Sequence, residues 1–167
     1  MKKAFTLIEM MISITILSIM MIYLYTMNAS VNKSNIFYEK QVNKLNQLTL
    51  KKRVLFLDLS LAFSRQIAIE HADKNEDILF LQTTNSLHKR VNPFVTYIVK
   101  NKKLYRLESF KKLMYPFSET DKFDVDYFGN VNVFRVYKEK NKETFLVDLQ
   151  FKNADNILMK VNALNEY

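Results

Sequence analysis

The chain has no cysteine, no tryptophan, one glycine and two prolines in 167 residues. Without cysteine there is neither a disulfide framework nor a thiolate metal site, so a domain outside the cytoplasm would have to fold on core packing alone. A single glycine excludes a glycine-rich phosphate loop and a dinucleotide fingerprint, each of which needs several. No proline or glycine stands between Met1 and Val91, so no local breaker interrupts a helix there. Acidic residues are the minority charge, 17 against 25 lysines and arginines, for a formal net charge of +8. Such a balance attracts anionic lipid or nucleic acid through the summed field. No run of five like charges marks a binding tail, however, and the densest cluster, Lys51-Lys52-Arg53, reads as a solvated helix face.

What is present is unevenly spread. Apolar residues make up 49% and charged residues 25%, which excludes wholesale disorder, and the length suits about one domain with an attached segment. The apolar residues crowd the front. After Lys2 and Lys3 comes Ala4-Phe5-Thr6-Leu7-Ile8-Glu9, then an uncharged run from Met10 to Met27. A hydrocarbon core about 30 Å thick needs roughly 20 apolar residues in a helix, and Phe5 to Met27 meets that with one exception, Glu9. An acidic residue at the centre of a membrane helix costs about 2.5–3.5 kcal/mol, less toward the interface. Its presence calls for a positive partner, for which a newly made N-terminal amine of a neighbouring copy is the best candidate. A secretory signal peptide accounts for the lysines, but the run is long, is broken early by Glu9 and lacks a small-x-small cleavage site. A plain signal anchor accounts for the length and leaves Glu9 and the Ala4-Phe5 junction unexplained.

Ala4-Phe5-Thr6-Leu7-Ile8-Glu9 resembles the class III signal of type IV prepilins and type II secretion pseudopilins: a short basic leader, a small residue, Phe-Thr-Leu-Ile-Glu and a long apolar helix. The residue before the cut is usually glycine in that family and is Ala4 here. The resemblance implies that a membrane prepilin peptidase cleaves between Ala4 and Phe5 on the cytoplasmic side and N-methylates the Phe5 amine. It implies that Glu9 pairs with the Phe5 amine of an adjacent subunit, each charge relieving the other's desolvation. Removal of a leader carrying Lys2 and Lys3 lowers the side-chain charge to +6. The expected location is the bacterial inner membrane, crossed once, with the C-terminal part in the periplasm. The expected partners are prepilin peptidase, other minor and major pilins or pseudopilins, and inner-membrane lipid.

Beyond Asn28 apolar positions recur at helical spacing, from Val31 through Tyr38, Val42, Leu45, Leu48, Leu55, Leu59 and Ala62 to Ile67, with Lys33, Glu39, Lys40, Lys44, Lys51, Lys52 and Arg53 on the other face. This reads as a helix from Phe5 to about His71 whose upper half needs a sheet to cover it. From there the period becomes two. Ile78–Thr84, Phe94–Lys100, Leu104–Glu108, Phe123–Phe128, Val131–Lys138, Thr144–Lys152 and Ile157–Val161 are rich in β-branched and aromatic residues, with turns at Asn101-Lys102-Lys103, Gly129-Asn130 and 138–143. The expected class is α+β, a pilin-like fold with a long N-terminal membrane-spanning helix packed on antiparallel sheet. Its divisions are a leader at 1–4, a membrane span at 5–27, an amphipathic helical continuation at 28–72 and a β-rich periplasmic head at 73–167.

A second resemblance, lower in specificity, lies in the head. Asp58-Leu59 followed by Arg65, and Phe94-Val95-Thr96-Tyr97-Ile98 leading to Lys103-Leu104-Tyr105-Arg106, look like J-type minor pseudopilins and W-type minor pilins. The family's Asp-Gly turn is replaced by Asn101-Lys102-Lys103. This resemblance implies a subunit of the tip complex that starts a filament.

No catalytic constellation stands out, and no cofactor or metal is expected. His71 and His88 are far apart, with no acidic partner at helical spacing. Asp73, Asn75 and Asp77 have alternate oxygen ligands resembling the start of a calcium loop, but the turn glycine is Ile78 and the bidentate glutamate is Thr84. A helix-to-strand loop explains them. Lys89-Arg90, Lys100, Lys102-Lys103, Arg106 and Lys111-Lys112, with Tyr97, Tyr105 and Phe110 nearby, outline a basic patch for DNA. That patch carries the rival reading of a DNA-contacting competence subunit. A second rival is a single-pass anchor that never assembles.

Overall fold

A computed structural model describes residues 6–140, 142–152 and 155–165. Its contacts divide the chain into two units at Asn46–Gln47. Helix α1, Leu7–Ser60, supplies all of the first unit's described secondary structure, and every described residue from Thr6 to Gln47 is exposed.

The second unit places the end of α1 on a seven-stranded sheet with strands in chain order. These are β1 Ala68–Asp73, β2 Glu76–Gln82, β3 Phe94–Lys100, β4 Lys103–Ser109, β5 Phe123–Lys138, β6 Thr144–Phe151 and β7 Ile157–Asn162. Each strand pairs antiparallel with the next, and a single parallel bridge joins β2 to β5 at Glu76 and Phe134. The period-two alternation predicts this: one set of side chains faces the helix and the other faces away. Leu55 and Leu59 from α1 pack with Leu79, Tyr97, Phe134 and Leu149 in the main core. On the opposite face Ile78, Phe80, Ile98 and Leu107 are covered by Leu113.

Two local expectations change. The helix read to about His71 ends at Ser60, and Ala68–Asp73 is an edge strand. The last carbonyls of α1 are claimed from far along the chain: Ser60 O accepts from Leu164 N, and Leu61 O accepts from Thr84 N and Asn165 Nδ2. Those bonds cap the helix where no glycine or proline does. The Gly129-Asn130 turn is the middle of one strand, β5, which pairs with β4 through Phe123–Asn130 and with β6 through Val131–Lys138. Gly129 has φ +137°, and a Cβ there would sit 3.1 Å from Phe151 Cε1, so any other residue at the chain's one glycine would be strained in its backbone and would crowd that ring. At the β3–β4 hairpin, Asn101 and Lys102 have φ of 55° and 57°. Two left-handed residues make the I′-type turn that suits the strand twist.

Candidate functional site

The helix starts on its own side chains. Thr6 N and Oγ1 both donate to Glu9 Oε2 at 2.9 Å, and Glu9 N reaches Thr6 Oγ1 at 3.4 Å. Thr6-Leu7-Ile8-Glu9 is thus a capping box, threonine at the N-cap and glutamate three residues on, satisfying amides that the first turn leaves free. Glu9 is the acidic residue of that first turn, where the helix dipole favours negative charge. Ala4 and Phe5, the expected cleavage site and methylated residue, lie outside the described residues.

The apolar run that follows satisfies its polar atoms internally. Ser13 Oγ donates to Glu9 O, Thr15 Oγ1 to Ile12 O, Ser18 Oγ to Ile14 O and Thr26 Oγ1 to Tyr23 O, at 2.7–2.8 Å. A hydroxyl bonded to its own helix needs no water, which is the condition for lying in hydrocarbon. Leu7, Met10, Leu17 and Ile22 are each at least 60% exposed, apolar surface that water alone would not tolerate at this density. By length and composition the helix can cross a membrane. Tyr23 and Tyr25 stand near the end of the run, the position of an interfacial aromatic belt.

At the other end of α1 the chemistry inverts. Asp58 is fully buried and holds three partners: Arg106 Nε at 2.7 Å, Arg106 Nη2 at 3.2 Å and Tyr97 Oη at 2.7 Å. Asn85 Nδ2 adds a fourth bond at 2.6 Å. Arg106 also reaches the buried Glu108 at 2.7 Å and Asp126 at 3.3 Å. Burial pulls the Arg106 guanidinium downward, but the bonds and charge of Asp58 outweigh it and hold it above its ordinary range. Burial, then the Asp58 charge, pushes the Tyr97 phenol well up. Burial raises Glu108, and bonds from Ser86, Arg106 and Leu87 N bring it below the ordinary carboxylate value. The cluster ties α1 to β3 and β4 and pins the 85–90 connection through Ser86, Leu87 and His88, which all donate to Glu108.

The residues singled out in the head therefore separate. Asp58, Tyr97 and Arg106 come together, while Arg65 is exposed on a 3-10 turn at Ser64–Gln66 and does not join them. Glu108 was missed. Its signal was the alternation Leu104, Arg106, Glu108, which puts two opposite charges on the core-facing side of β4. Asp73–Asp77 forms the β1–β2 hairpin, and Asp77 is buried against His71 Nδ1 at 2.6 Å, Val136 N at 2.8 Å and Arg135 Nε at 3.2 Å. His88 lies 3.1 Å from Asp126, a partner that helical spacing could not reveal. Among the described residues no group of three or more His, Cys, Asp or Glu could hold a metal ion.

The basic patch does not assemble as drawn. Tyr97 and Arg106 are buried, and Arg90 is spent on Asp124, the Glu108 carbonyl and the Phe110 ring. Lys100, Lys102 and Lys103 sit at one end of the β3–β4 hairpin, whereas Lys111 and Lys112 follow Ser109 at the other, about 20 Å away at strand spacing.

Residues 1–25 match the family model for the prokaryotic N-terminal methylation motif. The N-terminus thus carries a type IV pilin-like prepilin signal. No curated protein matches the chain.

Proposed function

We propose that this chain is a minor pilin or pseudopilin, a structural subunit of a type II secretion or type IV pilus filament. The observation that carries the reading is the methylation motif over residues 1–25, within which a helix able to cross a membrane begins at Leu7. Prepilin peptidase cleaves between Ala4 and Phe5 and methylates the Phe5 amine. The helix anchors the chain once in the inner membrane, with residues 28–72 and the head at 73–167 on the periplasmic side. On assembly the Glu9 carboxylate leaves the amide and hydroxyl of Thr6 for the Phe5 amine of a neighbouring pilin, an ion pair in low dielectric in place of two desolvated charges. The meeting of Asp58, Tyr97 and Arg106 supports the J/W-like reading, a subunit in the complex that begins the filament.

The test is the mature N-terminus, read by mass spectrometry after co-expression with a prepilin peptidase. N-methylated Phe5 is the expected result. An intact Met1 would leave a non-assembling anchor, and a start near Ser30 an ordinary secreted domain; either overturns the filament reading. The competence rival predicts that the full chain in detergent shifts a DNA duplex in a salt-sensitive way.

A further inference from the structure

The stretch of α1 between Asn28 and Asn46 carries two opposed faces. At about 100° per residue, Lys33, Lys40 and Lys44 fall within about 40° of arc. Val31, Tyr38, Val42 and Leu45, 49–64% exposed, gather on the far side. The only acid of the stretch, Glu39, projects about 120° from the lysines.

Acids three or four residues away would stabilise lysines on a helix. Here none is paired. The neighbours of Lys33 at those spacings are Ala29, Ser30, Ile36 and Phe37; those of Lys44 are Lys40, Gln41, Gln47 and Leu48; Lys40 adds Asn43. Lys40 and Lys44 are a like-charge pair at i,i+4, which disfavours an isolated helix. Among the described residues none of the three lysines is in a salt bridge, and all are exposed.

Lipid is a poor occupant. Headgroups extend about 5–8 Å beyond the hydrocarbon core; Lys33, about 9 Å along the helix from Met27, comes near them, whereas Lys40 and Lys44 stand about 20 and 26 Å along it, beyond a Debye length of about 8 Å. A second copy is also poor, because it offers three lysines and one misplaced glutamate to the same face. We infer that the Lys33–Lys40–Lys44 face docks against the acidic helix face of a different subunit, so that this chain is inserted among unlike neighbours. The inference rests on the filament reading and adds which neighbour the helix selects.

The absence of native cysteine makes the test clean. The full chain with Phe37→Cys, which lies on the lysine face, is placed in phosphatidylcholine vesicles. It is mixed with a differently tagged Phe37→Cys copy in which Lys33, Lys40 and Lys44 are all changed to Glu, serving as the acidic-face probe. The mixed disulfide should exceed the unreversed homodimer by about tenfold in dilute buffer and lose most of that preference near 0.5 M salt, where screening is strong. Equal yields of homodimer and mixed dimer, or no disulfide in any pairing, overturn the inference. So does loss of the mixed dimer in vesicles rich in phosphatidylserine, which would assign the face to lipid. The cross-link is read on uncleaved chain, so failed processing at Phe5 overturns the filament reading alone. Indifferent cross-linking beside a methylated Phe5 overturns only the acidic neighbour.

Discussion

The stretch from Thr6 to Asn46 and the unit that begins at Gln47 solve the same problem in opposite ways. Both must keep polar atoms out of an apolar medium unpaired as seldom as they can. In the first, every solution is local: Thr6 and Glu9 cap each other, and Ser13, Thr15, Ser18 and Thr26 bond backward by three or four residues. In the second, the decisive bonds span 39 and 48 residues, from Tyr97 and Arg106 to Asp58. A region satisfied locally keeps its fold whatever surrounds it. A region satisfied at long range holds only when the whole unit is folded.

The sharpest break of that contrast is Asp58→Ala. It leaves Arg106 buried without its main counter-charge, and removal of one partner from a buried pair costs about 3–5 kcal/mol. Urea unfolding of the full chain in detergent, followed by near-ultraviolet circular dichroism of the tyrosines, should show it. An unchanged midpoint would mean that the cluster does not hold α1 to the sheet. Asp58→Leu combined with Arg106→Met and Glu108→Gln should recover much of the loss, because well-packed apolar groups often replace buried ions without penalty and the amide oxygen still accepts from Ser86 and Leu87 N. Tyr97→Phe comes next: it deletes one hydrogen bond to a charged acceptor, about 1.5–3 kcal/mol, and keeps the ring against Phe128, 5.3 Å between centroids.

Acid should separate the two regions as well. Glu108 has a folded-state value below its unfolded one, so its contribution is fully present above the ordinary carboxylate range, near pH 4.3, and is lost as pH falls through the lower folded value. The sheet unit should therefore lose stability on moving from pH 6 to pH 3, with Glu108→Gln flattening part of the slope. The helical signal of the first stretch should persist over the same range. Equal acid sensitivity in both variants would detach Glu108 from the effect.

These contrasts also explain what could be read in advance. Most strand spans followed from period-two alternation, and the Asn101-Lys102 turn from its residue types, because strands and turns are local. The end of α1 was not legible: Ala62 and Ile67 continue the helical spacing, and the bonds that stop the helix come from Thr84, Leu164 and Asn165. Gly129 read as a turn because a lone glycine between two alternating runs usually is one. The exchange of partners along β5 from β4 to β6 depends on strands that the local sequence does not name. The N-terminal signal was legible because the six residues from Ala4 to Glu9 and the apolar run after them are contiguous. Asp58, Tyr97 and Arg106 were marked by family resemblance, not by any spacing that shows they touch.

The smallest expected effect on stability makes the finest cut, at Glu9. Two roles share this carboxylate: local cap acceptor for Thr6, and the charge we propose pairs with a neighbour's amine. Glutamine serves the third helical position of a capping box as glutamate does, so Glu9→Gln keeps the bond from Thr6 N and removes only the charge. Amide hydrogen exchange at Leu7, Ile8 and Glu9 should stay within a few-fold of the parent, and the urea midpoint of the sheet unit should not move. Thr6→Ala should instead speed exchange in that turn by several-fold, in line with about 1 kcal/mol for a lost cap. If Glu9→Gln leaves the first turn protected but blocks incorporation into filaments, the charge itself carries assembly. If incorporation survives Glu9→Gln and fails with Thr6→Ala, the helix start is what the neighbour needs, and Glu9 acts through its cap.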